Sequence, residues 1–142
     1  MVLFLPRDAA SVPVSRQVLD GCLETLGVTP DTRTDLALAL TEACSNVIQH
    51  AGPGDEYEVM VRARDGRCII EVLNTGTGGG VITPSDSPVP PTAEHGRGLK
   101  IIDAVVDDLR LTGNGRSTTV HFEKALSWVP GAAGAQLFNS DG

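Results

Sequence analysis

The chain has 142 residues, of which 41% are hydrophobic and 20% are charged, proportions typical of one globular domain. Eleven Lys and Arg against 18 Asp and Glu give a formal charge of −7, which argues against a protein that neutralises nucleic-acid phosphates. The first apolar run, residues 2–5, is too short for a signal peptide or a membrane span, so we expect a cytoplasmic protein without a membrane partner.

The first half of the chain predicts one strand and two helices. Residues 2–6 predict a strand, and residues 9–26 predict an amphipathic helix that Gly27 ends. Thr29 and Pro30 favour the start of a second helix, because the hydroxyl can cap free amides and Pro suits the first turn. Apolar residues recur at spacings of three and four along the predicted second helix, residues 31–51: Leu36, Leu40, Ala43, Val47 and Ala51.

The second half predicts a hairpin, a long loop, a helix and two more strands. Residues 56–63 and 67–73 are rich in β-forming residues, and the intervening Asp65 and Gly66 are typical of a hairpin turn. Residues 74–98 are rich in glycine and proline and predict a long loop or lid. We expect a helix over residues 99–106, strands over 109–112 and 117–125, and a loose tail after Leu126.

This order of elements predicts an α+β fold, a two-layer α/β sandwich with helices on one face of a mixed, mainly antiparallel sheet. The domain would span residues 1–126, and residues 127–142 would form a flexible C-terminal tail. The three cysteines have no CxxC spacing and the three histidines have no HExxH spacing, so buried free thiols are expected and no structural metal.

Three short segments carry side chains or backbone suited to ligand chemistry. Glu42 and Asn46 are four residues apart, about 40° around one helix face, at the rim of the apolar stripe. Residues 74–80 place glycines directly after a strand, and residues 95–99 place them before a helix, where free amides could meet phosphates. Each segment taken alone is more often a solvated helix face or an ordinary connector. Neither glycine segment has the P-loop or Rossmann pattern.

The order of these three segments resembles the ATP-binding domain of the GHKL superfamily, which includes gyrase, Hsp90, histidine kinases and MutL. The likeness runs over residues 36–125, most of the chain. Within it, residues 38–51 (LALTEACSNVIQHA) resemble the N box of the bacterial anti-sigma-factor serine kinases that act in partner switching, and residues 119–124 (TVHFEK) resemble that family's final strand. The resemblance implies the GHKL, or Bergerat, ATP-binding fold.

The resemblance also implies a protein-serine/threonine kinase that uses ATP and Mg²⁺. Asn46 would coordinate the metal, and Glu42 would be the catalytic base on a serine or threonine hydroxyl of a partner. Cofactor contacts would come from residues of the two glycine segments: Asn74, Gly76, Gly78, Gly96, Arg97, Gly98 and Leu99.

The implied partners are a sigma factor and an anti-sigma-factor antagonist of the STAS type. The protein would be a homodimeric anti-sigma factor in transcription regulation and stress response, with no direct contact to nucleic acid.

Three positions depart from the family pattern: Asn74, Gly79-Gly80 where an aromatic is common, and Glu94-His95 where some members carry an Arg. The family's loop usually begins DxGxG, whereas this chain has Asn74, which keeps a carbonyl acceptor for adenine but lacks the negative charge. An alternative function is therefore a non-catalytic anti-sigma or adaptor module with weak or no nucleotide binding. A third, a stand-alone ATPase, explains the glycine segments but not the kinase-like N box.

Overall fold

The computed structural model describes residues 1–50, 56–74, 87–88, 93–113 and 118–138. Four helices lie in these ranges: α1 (Ser11–Leu26), α2 (Pro30–His50), α3 (Ala93–Val105) and α4 (Ala133–Phe138). The same ranges hold six strands: β1 (Val2–Pro6), β2 (Glu56–Arg64), β3 (Arg67–Asn74), β4 (Ser87–Pro88), β5 (Asp108–Gly113) and β6 (Thr118–Ala125). Within them, no helix combines the length and the apolar content needed to cross a bilayer.

The strands form one sheet in the order β1-β2-β3-β6-β5-β4. Alternate residues of β3, such as Ile70 and Val72, are fully buried beneath the helices, while their neighbours lie on the opposite, outer face. The predicted α+β sandwich is confirmed. Every described strand pairing is antiparallel, so the sheet is simpler than the mixed one expected.

The β2–β3 hairpin forms where the sequence predicts it. Asp65 and Gly66 both have positive φ, 54° and 74°, as a two-residue type I′ turn requires. Because this turn sets the register, Tyr57 pairs with Asn74 at the far end of the hairpin.

Helix α2 runs through the centre of the core. Its predicted stripe residues Leu36, Leu40, Ala43 and Val47 are fully buried, whereas Ala51 lies outside the described residues. Cys44 and Cys68 are buried free thiols as expected, but Cys22 is exposed, so that part of the cysteine prediction was wrong.

Helix α1 buries only part of the apolar face that its spacing predicts, which comprises Val14, Val18, Leu19, Cys22, Leu23 and Leu26. Leu19 and Leu23 are buried, but Cys22 is exposed. Val14 is 50% exposed, and the buried positions include Val12, Ser15, Leu19 and Leu23. A serine can occupy this face because its hydroxyl donates to the carbonyl of Val12 at 2.9 Å, so its burial leaves no unpaired donor.

Helix α3 begins at Ala93, six residues earlier than predicted. Gly96, Arg97 and Gly98 therefore lie inside the helix and not in a turn ahead of it. Glycine lowers helix propensity by about 1 kcal/mol relative to alanine, so Gly96 and Gly98 are typical of a turn before a helix. Packing of α3 against α2 overrides that local preference.

The chain beyond Leu126 was predicted to be loose, and over residues 127–138 that prediction was wrong. The amide of Thr29 donates to the carbonyl of Ser127 at 2.9 Å, and the amide of Val129 donates to Gly27 at 2.8 Å. Helix α4 follows, and the Gly66 amide donates to the Phe138 carbonyl at 2.7 Å. This C-terminal segment thus joins the α1–α2 turn to the β2–β3 hairpin. Residues 139–142 lie outside the described residues.

Candidate active site

The candidate site lies on α2 where this helix faces α3. Glu42 is partly exposed, and Asn46, one turn further on, is only 8% exposed. The two side chains share a helix face because four residues span a little more than one turn. The face carries a carboxylate that solvent can reach and a carboxamide that is nearly enclosed.

The Asn46 side chain has an unsatisfied polar atom. Its Nδ2 is buried and has no hydrogen-bond partner among the described residues. Leaving such a donor unpaired costs about 1–3 kcal/mol, so a buried amide of this kind points to a missing ligand. Because the two ends of a carboxamide are interchangeable by a flip, the same group can present its oxygen to a cation.

Gly98 brings α3 close to Glu42. A Cβ atom placed on Gly98 would lie 3.2 Å from Glu42 Oε1. Few real Cβ contacts are this short, so a larger residue would require the carboxylate to shift by a few tenths of an ångström. Two of the predicted site residues, from separate segments, are therefore neighbours in the fold.

Leu99 is predicted to contact the cofactor, but its side chain lies in the hydrophobic core and is 8% exposed. Gly96 and Arg97 are in α3, and the structure describes only their backbone. Gly76 and Gly78 lie outside the described residues.

Asn74 ends β3 on the helix-facing side of the sheet and is 8% exposed. Its cross-strand partner Tyr57 is fully buried, and its phenol lies 2.6 Å from the Ser11 hydroxyl. Burial raises the pKa of Tyr57 to about 12, so the phenol is neutral and can donate a hydrogen bond.

A small polar network continues behind the site. Burial raises the pKa of Cys44 to about 11, and its thiol lies 3.6 Å from the hydroxyl of Ser15. Cys44 stands between Glu42 and Asn46 in sequence but points into the core, where this network fixes the back of α2 against α1. Helical spacing places Cys44 beside the apolar stripe and gives no indication of its polar neighbours.

Arg7 is a second residue that sequence reasoning missed. Its Nη2 donates to the backbone carbonyl of Ile48 at 2.8 Å, across 41 residues of sequence. Ile48 belongs to the last turn of α2, whose carbonyls lack partners within the helix. The guanidinium therefore caps the end of α2 two residues beyond Asn46.

Comparisons with known proteins bear on the family and the fold. Residues 5–124 match the family model of the histidine kinase-like ATPase domain. The serine-protein kinase RsbW of Bacillus velezensis is 30% identical over 135 residues, covering 87% of this chain and 83% of the relative. The protein of the same name from Bacillus mycoides is 29% identical over 117 residues, covering 75% of this chain and 73% of the relative.

A solved structure supports the fold. The crystal structure of the RsbU and RsbW domains of a Mycobacterium tuberculosis protein superposes with a TM-score of 0.68 at 20% identity. The match covers 91% of this chain and 33% of the larger one, so this chain spans about a third of that protein. The family match and the relatives together establish that the chain belongs to the histidine kinase-like ATPase family, within the group of anti-sigma-factor serine kinases.

Proposed function

We propose that this protein is an ATP-dependent protein-serine kinase and anti-sigma factor. It would hold a sigma factor as a homodimer and phosphorylate a serine of a STAS-type antagonist. The observation that carries the proposal is the position of Glu42 and Asn46 on one face of α2, with Asn46 Nδ2 buried and without a hydrogen-bond partner among the residues that the structure describes. A helix face that served only for solubility would leave these groups hydrated.

The residues present fit Mg²⁺ and the phosphates of ATP. A carboxamide oxygen is a hard donor of the kind that Mg²⁺ accepts, and Mg²⁺ keeps several further positions for water and phosphate oxygens. When bound, Mg²⁺ supplies charge neutralisation to the phosphates. Asn46 would hold the ion, and its burial limits the number of orientations that the amide can take.

Glu42 would accept the proton of the serine hydroxyl. In the proposed step the serine oxygen bonds to the γ-phosphorus, the bond to the leaving ADP oxygen breaks, and the hydroxyl proton moves to a Glu42 carboxylate oxygen. The partial exposure of Glu42 leaves it within reach of a partner's side chain, and the closeness of Gly98 limits how its carboxylate can turn. Asn74 would accept a hydrogen bond from the adenine amino group.

The second candidate function is a non-catalytic anti-sigma module of the same fold. Asn74 favours it, because a neutral acceptor binds an amino group less strongly than a carboxylate does. The intact pair of Glu42 and Asn46 favours the kinase.

Two measurements on the same variants test the proposal. Calorimetric titration measures ATP binding with and without Mg²⁺, and γ-labelled ATP measures transfer to a purified STAS-type antagonist. We expect Asn46→Ala to abolish Mg²⁺-dependent binding, and Glu42→Gln to bind normally but lose transfer by at least about a hundredfold. Asp103→Asn, an equivalent change at an exposed carboxylate of α3, is the matched control.

The outcomes separate the two functions. Equal transfer by wild type and Glu42→Gln would remove Glu42 from the role of base. Absence of nucleotide binding by the wild type, together with retained sigma-factor binding, would establish the non-catalytic module.

A further inference from the structure

Four ionisable side chains meet on the outer face of the sheet, opposite the helices. Asp108 of β5 pairs across the strands with Glu123 of β6, and His121 of β6 pairs with Glu71 of β3. Ligand atoms of Asp108, His121 and Glu123 all lie within 4.8 Å of one another. The sheet separates this cluster from Glu42 and Asn46, which belong to the helical layer.

Both ring nitrogens of His121 face carboxylates. Its Nε2 lies 2.8 Å from Glu123 Oε2, and its Nδ1 lies 3.1 Å from Glu71 Oε2. An ionised carboxylate only accepts hydrogen bonds, and a neutral imidazole donates from only one nitrogen. A neutral ring can donate from Nδ1 to Glu71, and its Nε2, beside Glu123, is then free to bind a metal ion. The imidazole side chain is 16% exposed.

We propose that Asp108, His121 Nε2 and Glu123 form a binding site for a divalent transition-metal ion of the zinc class. Two donors 2.8 Å apart can each lie about 2.0–2.2 Å from one ion, the usual length of zinc bonds to imidazole and carboxylate. One imidazole with two carboxylates suits Zn²⁺ better than Mg²⁺ or Ca²⁺, which prefer all-oxygen sites. Asp108 completes the set by a small side-chain movement, since 40% of its side chain is exposed.

Glu71 acts in this site as a positioning residue. A metal-binding histidine usually donates its other ring N–H to a carboxylate, which fixes the tautomer and the direction of the ring. Glu71 occupies that position at Nδ1, and it comes from a third strand. The carboxylate–histidine–metal arrangement is thus built into the strand register.

Two arginines compete with the ion. Arg110 Nη2 lies 3.2 Å from Asp108 Oδ2, and Arg67 Nε lies 3.6 Å from Glu123 Oε1. Arg110 is 67% exposed and can swing away, so it acts as a replaceable counter-ion. Removing its charge by Arg110→Gln should raise the zinc affinity.

The test is a zinc titration of the full chain without nucleotide, against a competing chelator. We expect one zinc ion per chain, with affinity at least about tenfold lower in His121→Gln and in Glu123→Gln, and about tenfold lower in Glu71→Gln. Cys22→Ser and Glu58→Gln are the controls, because Cys22 is an exposed thiol and Glu58 lies on the outer face of β2. Both controls should bind as the wild type does.

A second measurement keeps the result clear if one variant folds poorly. Zinc should raise the melting temperature of the wild type and of Cys22→Ser but not that of His121→Gln. It should also shift the imidazole Nε2 resonance of His121. Zinc affinity unchanged in both His121→Gln and Glu123→Gln would overturn the proposal. It would equally fail if binding were lost in Cys22→Ser, or if the His121 resonance did not respond to zinc.

Discussion

At the scale of single residues, Asn74 is the side chain proposed to read the adenine base. It lies on the buried side of the sheet beside Tyr57, so a substitution there changes a largely enclosed polar group. Hydrogen bonds to charged groups are worth about 1.5–3 kcal/mol, against about 1 kcal/mol for neutral pairs.

Asn74→Asp should therefore tighten ATP binding about tenfold, since a difference of about 1.4 kcal/mol is a factor of ten. Calorimetric titration in Mg²⁺ measures the change, and thermal unfolding monitors the cost of the added buried charge. An unchanged or weaker dissociation constant in a folded variant would show that this position does not read adenine.

Replacing Gly98 by alanine is expected to raise stability and to lower phosphoryl transfer. Alanine is a better helix former than glycine, so Gly98→Ala should stabilise α3 by up to about 1 kcal/mol. Its Cβ would nevertheless lie 3.2 Å from Glu42 Oε1 and displace the proposed base, so transfer should fall while ATP binding is retained.

The matched control is Gly21→Ala on α1, where an added Cβ has no atom within 4 Å. It should raise stability similarly and leave transfer unchanged. Undiminished transfer by Gly98→Ala would show that the approach of α3 does not position Glu42.

At the scale of elements, the C-terminal segment packs at the end of the sandwich that holds the α1–α2 turn and the β2–β3 turn, away from Glu42 and Asn46. Trp128 forms a β-bridge with Val28, and Gly134 of α4 packs directly against the Trp128 ring. The packing of this segment therefore requires a glycine at position 134.

Gly134→Ala should lower the free energy of unfolding by about 1–3 kcal/mol, the usual cost of overpacking. The new Cβ would overlap the Trp128 ring and lie 2.8 Å from the Leu26 carbonyl oxygen. Urea unfolding measures the loss. Gly131→Ala is the comparison. Gly131 has φ 75° but no atom within 4 Å of an added Cβ. The smaller loss of stability expected for Gly131→Ala therefore reports backbone strain alone. A Gly134→Ala variant as stable as the wild type would show that α4 moves away without cost.

At the scale of the whole molecule, the buried thiols make the free energy of unfolding fall at alkaline pH. Burial raises the pKa of Cys44 to about 11 and that of Cys68 to about 12, from an ordinary value of 9.0. The folded state therefore holds these protons more tightly than the unfolded state does. Their contribution to stability is complete below pH 9 and is lost as pH rises through 11 and 12.

Stability should therefore fall between about pH 9 and pH 11, by up to about 3 kcal/mol for Cys44. Urea midpoints at stepped pH measure this slope. Cys44→Ala should start from a lower stability, because it leaves a small cavity, but should show a shallower alkaline slope. Parallel slopes for the variant and the wild type would rule out Cys44 as the titrating group.

Local patterns in the sequence determined the central helix with its stripe of Leu36, Leu40, Ala43 and Val47, the hairpin turn at Asp65 and Gly66, and the pairing of Glu42 with Asn46. These features depend on residues within a few positions of one another, so helix period and turn conformation are enough to predict them.

Only the tertiary structure decided the early start of α3, the packing of the C-terminal segment, the Arg7 cap on α2 and the cluster around His121. Each joins residues far apart in sequence: Arg7 and Ile48 are separated by 41 positions, and Glu71 and His121 by 50. Strand register and helix packing bring such residues together, and the energy of those contacts outweighs local preferences such as the low helix propensity of Gly96 and Gly98.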